Sequence, residues 1–309
     1  MAKVIICIAT CARPQGLTRT LESLAALDTR HEVELLVGDN DAERREGLIA
    51  IKRIANAGYR WPIMGMSVAR RGIPHVRNAL AQAALAREGV THVAMLDDDE
   101  AASPRWIDAL VEAAEKWRAD VVGGAVLREM DSEVDPWAAR HPLLQPKSRG
   151  RSGPVELVDS TANVLIAARA LRAMGPCPFD ERMALTGGSD KQLFTAMKRA
   201  GHRFAWSEKA VVTELIPASR VTAKWLLMRG YRVGMTDMIV ARTQHGPLRA
   251  AATEAPRIVG GFIMGGLGAV TTLDRGKRVE RLGRLYRAAG KIAGLTGIHY
   301  EEYRKVHGA

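Results

Sequence analysis

Four consecutive acids, Asp97 to Glu100, follow a short apolar run that begins at His92. The run has the length of a buried strand and ends abruptly at the first carboxylate. Charges are costly to bury unless they are paired or bind a metal, so the acids are expected just beyond the strand. Open α/β sheets bind their ligands there, just outside the carboxyl ends of the strands. The acids therefore predict a ligand site, although a solvated turn that caps the next helix has the same pattern.

A second acid cluster, Asp39-Asn40-Asp41, follows another predicted strand. Closely spaced carboxylates repel one another, and a bound divalent cation removes that repulsion. Because carboxylate oxygens are hard ligands, the cation would be Mg²⁺ or Mn²⁺. The sequence thus favours a metal-assisted site at the ends of strands.

The composition is that of a globular protein with a large core. Its 309 residues are 47% hydrophobic, which suits one large domain or two smaller ones. The three cysteines, Cys7, Cys11 and Cys177, are odd in number and lack zinc-site spacing, which favours a reducing compartment. The first apolar run ends near residue 9 and is too short for a signal peptide. We therefore expect a cytoplasmic location.

The net charge of +11 is concentrated toward the end of the chain. Residues 246–309 hold eleven Lys/Arg and five Asp/Glu, a net charge of +6. Such a basic segment favours an anionic surface, which is either nucleic acid or membrane. The sequence has no helix-turn-helix, zinc-finger or aromatic RNA-binding motif. We therefore expect an anionic membrane surface, and no nucleic acid, as a partner.

Strand and helix patterns alternate through the first 127 residues. The predicted strands cover residues 3–9, 33–38, 63–68, 92–96 and 120–127. The predicted helices cover residues 15–27, 73–87 and 103–117. Repeated βα units imply a mostly parallel sheet with helices on both faces. This arrangement puts both acid clusters at the ends of strands.

The pattern changes after residue 128. Residues 131–154 hold four prolines and little periodicity, and a loop of this length is usually functional, for example as a lid, or disordered. Order returns beyond it. The predicted strands there cover residues 155–158, 163–168, 203–206 and 210–214. The predicted helices cover residues 169–174, 191–200 and 221–240.

The last part of the chain combines an apolar segment with a basic amphipathic one. Residues 258–273 carry no charge, but five of these sixteen residues are glycine, and a spanning helix needs about 20 apolar residues. Residues 275–295 place apolar side chains on one face and arginines at its borders. We interpret the pair as a monotopic contact with a membrane surface. The alternative is a helix pair that packs on the core or forms a homodimer.

Five motifs, in order along roughly residues 3–235, resemble those of the family 2 glycosyltransferases. They are residues 4–24, residues 37–41, residues 72–78, the Asp97-Asp98-Asp99 run and the Gly187-Gly188-Ser189-Asp190 run. Residues 190–230 are similar to the bacterial exopolysaccharide branch, such as the succinoglycan glucosyltransferases. The family pattern is broken at Ala9, Cys11 and Ala12, and at Leu215, where many relatives carry histidine.

The resemblance implies the GT-A nucleotide-diphospho-sugar transferase fold, an inverting reaction and Mn²⁺ or Mg²⁺ as cofactor. On this basis, residues 1–127 bind the nucleotide sugar, and residues 128–245 form the acceptor-binding and catalytic half of the same domain. Residues 246–309 form a basic amphipathic helical tail that associates with the membrane.

The resemblance also assigns roles to individual residues. Asp99 would bind the metal between the donor's phosphates. Asp190 would be the general base, kept ionised by the helix start, with a plain helix cap as the alternative. The predicted substrate-binding residues are Thr10, Arg13, Asp39, Arg77, Asp97, Asp98, Trp106 and Gly188. Among them, Asp39 would contact uracil, Asp97 the ribose and Trp106 a sugar ring.

Three functions are compatible with these residues. The first is transfer of a hexose from a UDP-linked donor to a lipid-linked saccharide, at the inner face of the plasma membrane. It uses Gly188, which would let the acceptor approach the backbone closely. The second is transfer to a polyprenyl phosphate. The third is a non-catalytic basic protein that binds polyanions, which predicts no need for Asp190 and no effect of metal.

Overall fold

One sheet with helices on both faces forms the body of the chain in this computed structural model, which describes residues 1–297 and 300. The strands in this part of the chain are β1 (Lys3–Thr10), β2 (Glu32–Asp39), β3 (Ile63–Ser67), β4 (His92–Asp97), β5 (Glu100–Ala102), β6 (Val121–Met130), β7 (Gly153–Val155), β8 (Val164–Ala167) and β9 (Phe204–Ile216). The helices are α1 (Pro14–Ala25), α2 (Glu46–Asn56), α3 (Ile73–Leu85), α4 (Trp106–Trp117), α5 (Pro136–Ala139), α6 (Ala168–Ala173), α7 (Ser189–Arg199), α8 (Ala223–His245), α9 (Pro247–Val270) and α10 (Arg275–Thr296). Residues 298–299 and 301–309 of the predicted tail lie outside the described residues.

The parallel half of the sheet brings the candidate residues to one edge. Its order is β3-β2-β1-β4, and each neighbouring pair is parallel. The register places Thr10 beside Asp39, and Ala9 beside Asp97. Because parallel strands end at the same edge, the residues that follow β1, β2 and β4 meet there. The predicted alternation of strands and helices is confirmed in this half, and α2 is a helix that was not predicted.

The other half of the sheet is mixed. β8 joins β4 to β6 through antiparallel pairs, whereas β9 is parallel to β6. The two strands predicted at 203–206 and 210–214 are one strand, β9, whose register shifts opposite Gly124 and Ala125. The short β5 pairs antiparallel with the end of β9, so that Glu100 lies opposite Glu214. The predicted mostly parallel sheet is confirmed, with an antiparallel element next to the acid cluster.

β1 is buried on both of its faces. Ile6 packs in a core cluster with Leu17 and Leu21 of α1, whereas Ile5 packs on the opposite face with Leu80 of α3. Successive residues of a strand point to opposite faces, which is why this strand is apolar without alternation. Each fully buried side chain of this size contributes roughly 1.5–3 kcal/mol. This packing fixes the strand ends that carry the site.

The C-terminal helices pack against one another through glycines. A Cβ added at Gly234 of α8 would lie 1.9 Å from the carbonyl oxygen of Arg287, and one at Gly290 of α10 would lie 1.9 Å from a carbonyl oxygen of α8. Val279 and Ala288 of α10 are buried against the rest of the chain. Part of the apolar face of α10 is therefore buried against the protein, and its predicted contact with a membrane stays a prediction. Among the described residues, none of the helices has the length and apolar content needed to cross a membrane.

Candidate active site

A pocket of about 460 Å³ opens at the carboxyl ends of the parallel strands. The segment 142–147 and the start of α8 form further parts of its wall. Six of the predicted residues line it, namely Thr10, Arg13, Arg77, Asp97, Asp98 and Asp99. Pockets of this size hold small-molecule ligands and cofactors. The structure thus brings most of the predicted donor-side residues together.

The three aspartates of the run are paired with arginines. Arg77 of α3 contacts Asp97 at 3.2 Å. Arg13, which directly precedes α1, contacts Asp98 at 3.0 Å and Asp99 at 3.2 Å. Nearby positive charge favours the ionised form of a carboxyl group and fixes its orientation. The first residues after β1 and the first turns of α3 therefore hold the acids in place.

Asp98 is the buried member of the run. It is 4% exposed, and it accepts a hydrogen bond from Oγ1 of Thr10 at 2.7 Å. Burial raises the pKa of Asp98 to about 6, although Arg13 and Thr10 act in the opposite direction. Thr10 and Asp98, which were predicted to bind substrate, are thus bonded to each other, and they tie the end of β1 to the end of β4.

Two arginines and a glutamate complete the pocket, and none of them was among the predicted site residues. Arg220 contacts Asp99 at 3.3 Å and Glu214 at 3.5 Å. Arg128 of β6 contacts Glu214 at 3.1 Å. Leu215, which stands where many relatives carry histidine, donates its backbone N–H to the carbonyl of Asp99 at 3.2 Å. The sequence did not predict this group, because Arg128, Glu214 and Arg220 are far from the acids of residues 97–99 along the chain.

The carboxylates of the pocket influence one another. Partial burial raises the pKa of Asp97, and the negative charge of Asp99 adds to this effect. The charges of Asp190 and Glu214 act in the same direction, and Arg77 opposes them. Asp97 and Asp99 are thus close enough to repel each other, and a cation bound between them would offset that repulsion.

The carboxylates of the pocket could supply part of the ligands of a divalent cation, and the phosphates of a bound nucleotide could supply the rest. In the part of the chain that the structure describes, no group of three or more His, Cys, Asp or Glu side chains is arranged to hold a metal by itself. Mg²⁺ is commonly bound by one or two carboxylates together with substrate phosphates. Asp99, whose side chain is 17% exposed in the pocket beside Asp97, offers such a partial set of ligands. These residues therefore suit a cation that binds together with a nucleotide.

Asp190 lies in the first turn of α7, beside the pocket. Leu185, five residues before it, lines the pocket, and the negative charge of Asp190 is among the influences that raise the pKa of Asp97. Its Oδ1 accepts the backbone N–H of Lys191 at 3.1 Å, and its side chain is partly exposed. Lys191 itself forms an ion pair with Asp237 of α8. Asp190 thus remains accessible to a hydroxyl group of a substrate.

Gly188 has a structural role at the start of α7. Gly187 and Gly188 both have positive φ, at 73° and 96°, and Gly188 is the residue that precedes α7. A Cβ on Gly188 would lie 1.9 Å from Cγ2 of Thr236 in α8. The space on the Cβ side is filled by protein, whereas the residue itself is partly exposed, and the approach of an acceptor to its backbone stays a prediction. Glycine is required there because of the left-handed backbone and the contact with α8.

Asp39 was predicted to contact a uracil base, and the structure buries it completely. Its two carboxylate oxygens accept the backbone N–H groups of Asp41 at 2.9 Å and Leu48 at 3.1 Å. Asp39 therefore fixes the connection between β2 and α2. Its neighbour Asn40, rather than Asp39, lines the pocket. The predicted contact is wrong because the fold uses this carboxylate to satisfy backbone donors.

Trp106 is the other predicted substrate-binding residue that the structure places in the core. It is fully buried, and its Nε1 donates a hydrogen bond to Oδ1 of Asn163 at 2.8 Å. Asn163 in turn donates to the carbonyl oxygens of Ala125 and Ala210. The predicted stacking of Trp106 on a sugar ring is therefore wrong, because the indole is buried where it connects α4 to β6 and β9 through Asn163.

The Trp106→Phe variant is expected to lower the free energy of unfolding by about 1–3 kcal/mol, because it leaves Oδ1 of Asn163 without its donor. We expect kcat/KM to stay within about twofold of the wild type, since no substrate touches the ring. Chemical denaturation and initial-rate kinetics measure the two effects. Trp117→Phe, at a partly exposed position of the same helix, is the control. A raised KM in Trp106→Phe alone would restore the stacking role.

The segment 131–154, predicted to be a lid or disordered, is folded and forms a wall of the pocket. Leu143 and Gln145 line the pocket, and their carbonyl oxygens accept hydrogen bonds from Arg128 at 2.6 and 2.9 Å. Lys147 forms two backbone hydrogen bonds with Val126 of β6. Because Arg128 also binds Glu214, this wall is attached directly to the acid cluster.

Solved structures resemble this chain along most of its length. PcManGT, a mannosyltransferase from Pyrobaculum calidifontis, superposes with a TM-score of 0.60 at 17% identity, over 95% of this chain and 87% of that one. TarS 1–349 from S. aureus superposes with a TM-score of 0.53 at 14% identity, over 96% of this chain and 92% of that one. These likenesses confirm the predicted GT-A fold.

The family is shown by sequence. The profile of the family described as Glycosyl transferase family 2 matches residues 5–174, which is more than half of the chain. The succinoglycan biosynthesis protein ExoM of Rhizobium meliloti (strain 1021) is 30% identical over 307 residues, which cover 96% of this chain and 94% of that protein. The chain belongs to glycosyl transferase family 2 and is a glycosyltransferase. The predicted resemblance is confirmed, and the non-catalytic alternative is set aside.

Proposed function

We propose that the chain transfers a hexose, with inversion, from a UDP-linked donor to a lipid-linked saccharide in exopolysaccharide biosynthesis. The observation that carries this proposal is the pocket in which aspartates at the ends of strands are paired with arginines. A nucleotide diphosphate needs both kinds of group, because carboxylates bind hydroxyls and cations whereas guanidinium groups bind phosphates. The name of ExoM, which refers to succinoglycan biosynthesis, supports a polysaccharide pathway.

The donor is proposed to carry UDP. TarS 1–349 was solved with UDP, and GalNAc-T7, which superposes with a TM-score of 0.55 at 13% identity over 77% of this chain and 51% of that one, was solved with UDP and Mn²⁺. PcManGT was solved with GDP-Man and Mn²⁺. In this chain, the partly exposed Asp97 would accept hydrogen bonds from ribose hydroxyls, and Arg77 beside it would face a phosphate.

Asp99 is proposed to hold Mn²⁺ or Mg²⁺ together with the donor. When bound, such a cation offsets the charge of the diphosphate that leaves the sugar. Arg13 and Arg220 hold Asp99 from two sides, so its carboxylate keeps one orientation in the pocket. Both guanidinium groups also suit the phosphates, because they present several N–H donors in one plane.

Asp190 is proposed to be the general base. It would accept the proton of the acceptor hydroxyl while that oxygen attacks the anomeric carbon from the face opposite the diphosphate, so that an α-linked donor yields a β-glycoside. Asp190 lies in the first turn of α7. Its side chain is partly exposed, so a hydroxyl group could reach the carboxylate.

The reaction is proposed to take place at the inner face of the plasma membrane, where a lipid-linked acceptor would be held. The net charge of +6 in residues 246–309 supports contact with anionic lipids. The same charge would draw the chain to the membrane before it meets the acceptor.

Calorimetric titration of the purified chain with UDP, GDP and ADP, with and without Mn²⁺, tests the donor and the metal together. We expect UDP with Mn²⁺ to bind at least about tenfold more tightly than UDP alone or than the other two nucleotides, which is a difference of about 1.4 kcal/mol. Preferred binding of GDP would change the donor. Absence of binding for every nucleotide under both conditions would overturn the proposed function.

A further inference from the structure

α9 carries an apolar face that the rest of the described chain leaves uncovered. Its exposed side chains are Val259, Phe262, Ile263, Met264, Leu267 and Val270, and Leu273 follows in the turn after the helix. Leu267 is 67% exposed, Val270 84% and Leu273 97%. The spacing of these residues at three and four positions puts them on one side of the helix. No charged residue interrupts the face between Arg257 and Asp274.

The opposite face of α9 is built from glycines. A Cβ at Gly261 would lie 2.8 Å from Cβ of Ala288, and one at Gly265 would lie 2.7 Å from the backbone nitrogen of Leu285. α9 thus packs on α10 through its smallest residues and directs its largest apolar ones to solvent. A helix that packs only for stability does the reverse, because large apolar side chains contribute most when they are buried. The outer face therefore indicates a second apolar partner.

The surroundings of this face are basic. Residues 247–296 hold nine Lys/Arg and three Asp/Glu, a net charge of +6. Two of the acids are already paired, Glu254 with Lys291 and Glu280 with Arg284. Two copies of the chain that met through this face would bring like charges together. Anionic lipid headgroups would instead attract these basic residues and neutralise their charge.

We infer that the outer face of α9, from Val259 to Leu273, inserts into the interfacial region of an anionic membrane. The helix lies in the plane of the membrane, because its inner face is occupied by α10. The basic residues around it contact the headgroups. The inference rests on the proposed function in one respect: if the acceptor is lipid-linked, the surface around α9 is where the chain meets it.

The C-terminal end of this face lies next to the wall of the pocket. Arg275, two residues after Leu273, stands over the ring of Trp137 at 4.9 Å and contacts Asp135 at 3.3 Å. The following turn of α10 shares an apolar cluster with Leu144, which lines the pocket. Docking of α9 therefore brings the wall of the pocket to the membrane surface. A saccharide carried on a lipid would reach the pocket from that side.

Cosedimentation of the full chain with vesicles tests this surface. One set of vesicles is made of phosphatidylcholine alone, and the other is a mixture with phosphatidylglycerol. We expect the wild type to bind the mixed vesicles. For Ile263→Gln/Leu267→Gln, the partition coefficient should fall at least about tenfold, because a polar amide replaces the apolar end of each side chain. Ile49→Gln, at a 64% exposed position of α2, is the matched control and should bind like the wild type.

Light scattering of the same variants separates a membrane from a second copy. A wild-type dimer that Ile263→Gln/Leu267→Gln converts to a monomer, without vesicle binding by either, would overturn the inference. Equal vesicle binding by the wild type and the double variant would overturn it as well. A wild-type chain that binds UDP but no vesicles contradicts the docking surface alone, whereas one that binds vesicles but no nucleotide contradicts the proposed function alone.

Discussion

The Asp190→Asn variant is expected to lower kcat by a factor of about 10²–10⁴ and to leave the Kd for UDP within about threefold of the wild type. Asparagine keeps the shape of the side chain but cannot accept the proton of an acceptor hydroxyl. The nucleotide, in contrast, is proposed to bind at Asp97 and Asp99 and not at Asp190. Initial rates of sugar transfer give kcat, and calorimetry with UDP gives the Kd.

A helix-start acid elsewhere in the fold provides the control. Glu46 lies in the first turn of α2, as Asp190 does in α7, so that Glu46→Gln removes the same kind of charge from a helix start. Such charges contribute about 0.3–1 kcal/mol to stability. Both variants should lose that amount, and only Asp190→Asn should lose kcat. Equal, small changes in kcat would make Asp190 a plain helix cap and would leave the base unassigned.

The features of the site that could be predicted are those that depend on residues close together in the sequence. The apolar run from His92 and the acids from Asp97 are consecutive, so strand and acid cluster are evident together. The parallel register then follows from the alternation of strands and helices, and it places Asp97 beside Ala9 at the end of β1. Local patterns were enough for these residues because their position depends on strand ends alone.

The features that were missed depend on contacts between distant segments. Arg220 lies 121 positions from Asp99 in the sequence, and it reaches this carboxylate because β9 returns to pair with β5. The burial of Asp39 and of Trp106 likewise depends on which backbone and side-chain donors surround them. A sequence pattern gives residue types at a strand end but not the hydrogen-bond partners that the fold brings to them.

Two helices were missed or doubted for physical reasons that the structure makes clear. α2 is preceded by Arg45, which has a φ of 56° and makes no capping hydrogen bond through its side chain, so the usual start signal is absent. α9 contains glycines that cost helix stability in isolation. At Gly261 and Gly265 they allow contact with α10, and this packing offsets the cost. Tertiary contacts thus stabilise α9, whereas α2 lacks the local start signal that a sequence pattern would show.

The Asp99→Asn variant is expected to abolish the effect of Mn²⁺ on UDP binding and to lower kcat/KM by about 10³-fold, which corresponds to several kcal/mol of charge stabilisation. A neutral amide is a weaker ligand for a hard cation than a carboxylate is. Asp99 also pairs with Arg13 and Arg220, and its loss leaves one carboxylate fewer to compete with the diphosphate for these guanidinium groups. Some binding of UDP without metal should therefore remain. Calorimetry with and without Mn²⁺ measures both components.

The neighbouring Asp98→Asn variant separates metal binding from a general loss of negative charge. Asp98 is buried against Thr10, so asparagine there should lower the free energy of unfolding by about 1–3 kcal/mol and keep the effect of Mn²⁺ on UDP binding. Asp99 faces the pocket between two arginines. Asparagine at this position should therefore abolish the effect of Mn²⁺ on UDP binding and keep the free energy of unfolding close to that of the wild type. Loss of the Mn²⁺ effect in Asp98→Asn and its retention in Asp99→Asn would assign the metal to Asp98 instead of Asp99. The two carboxylates have such different surroundings that this result would also require a different arrangement at the end of β4.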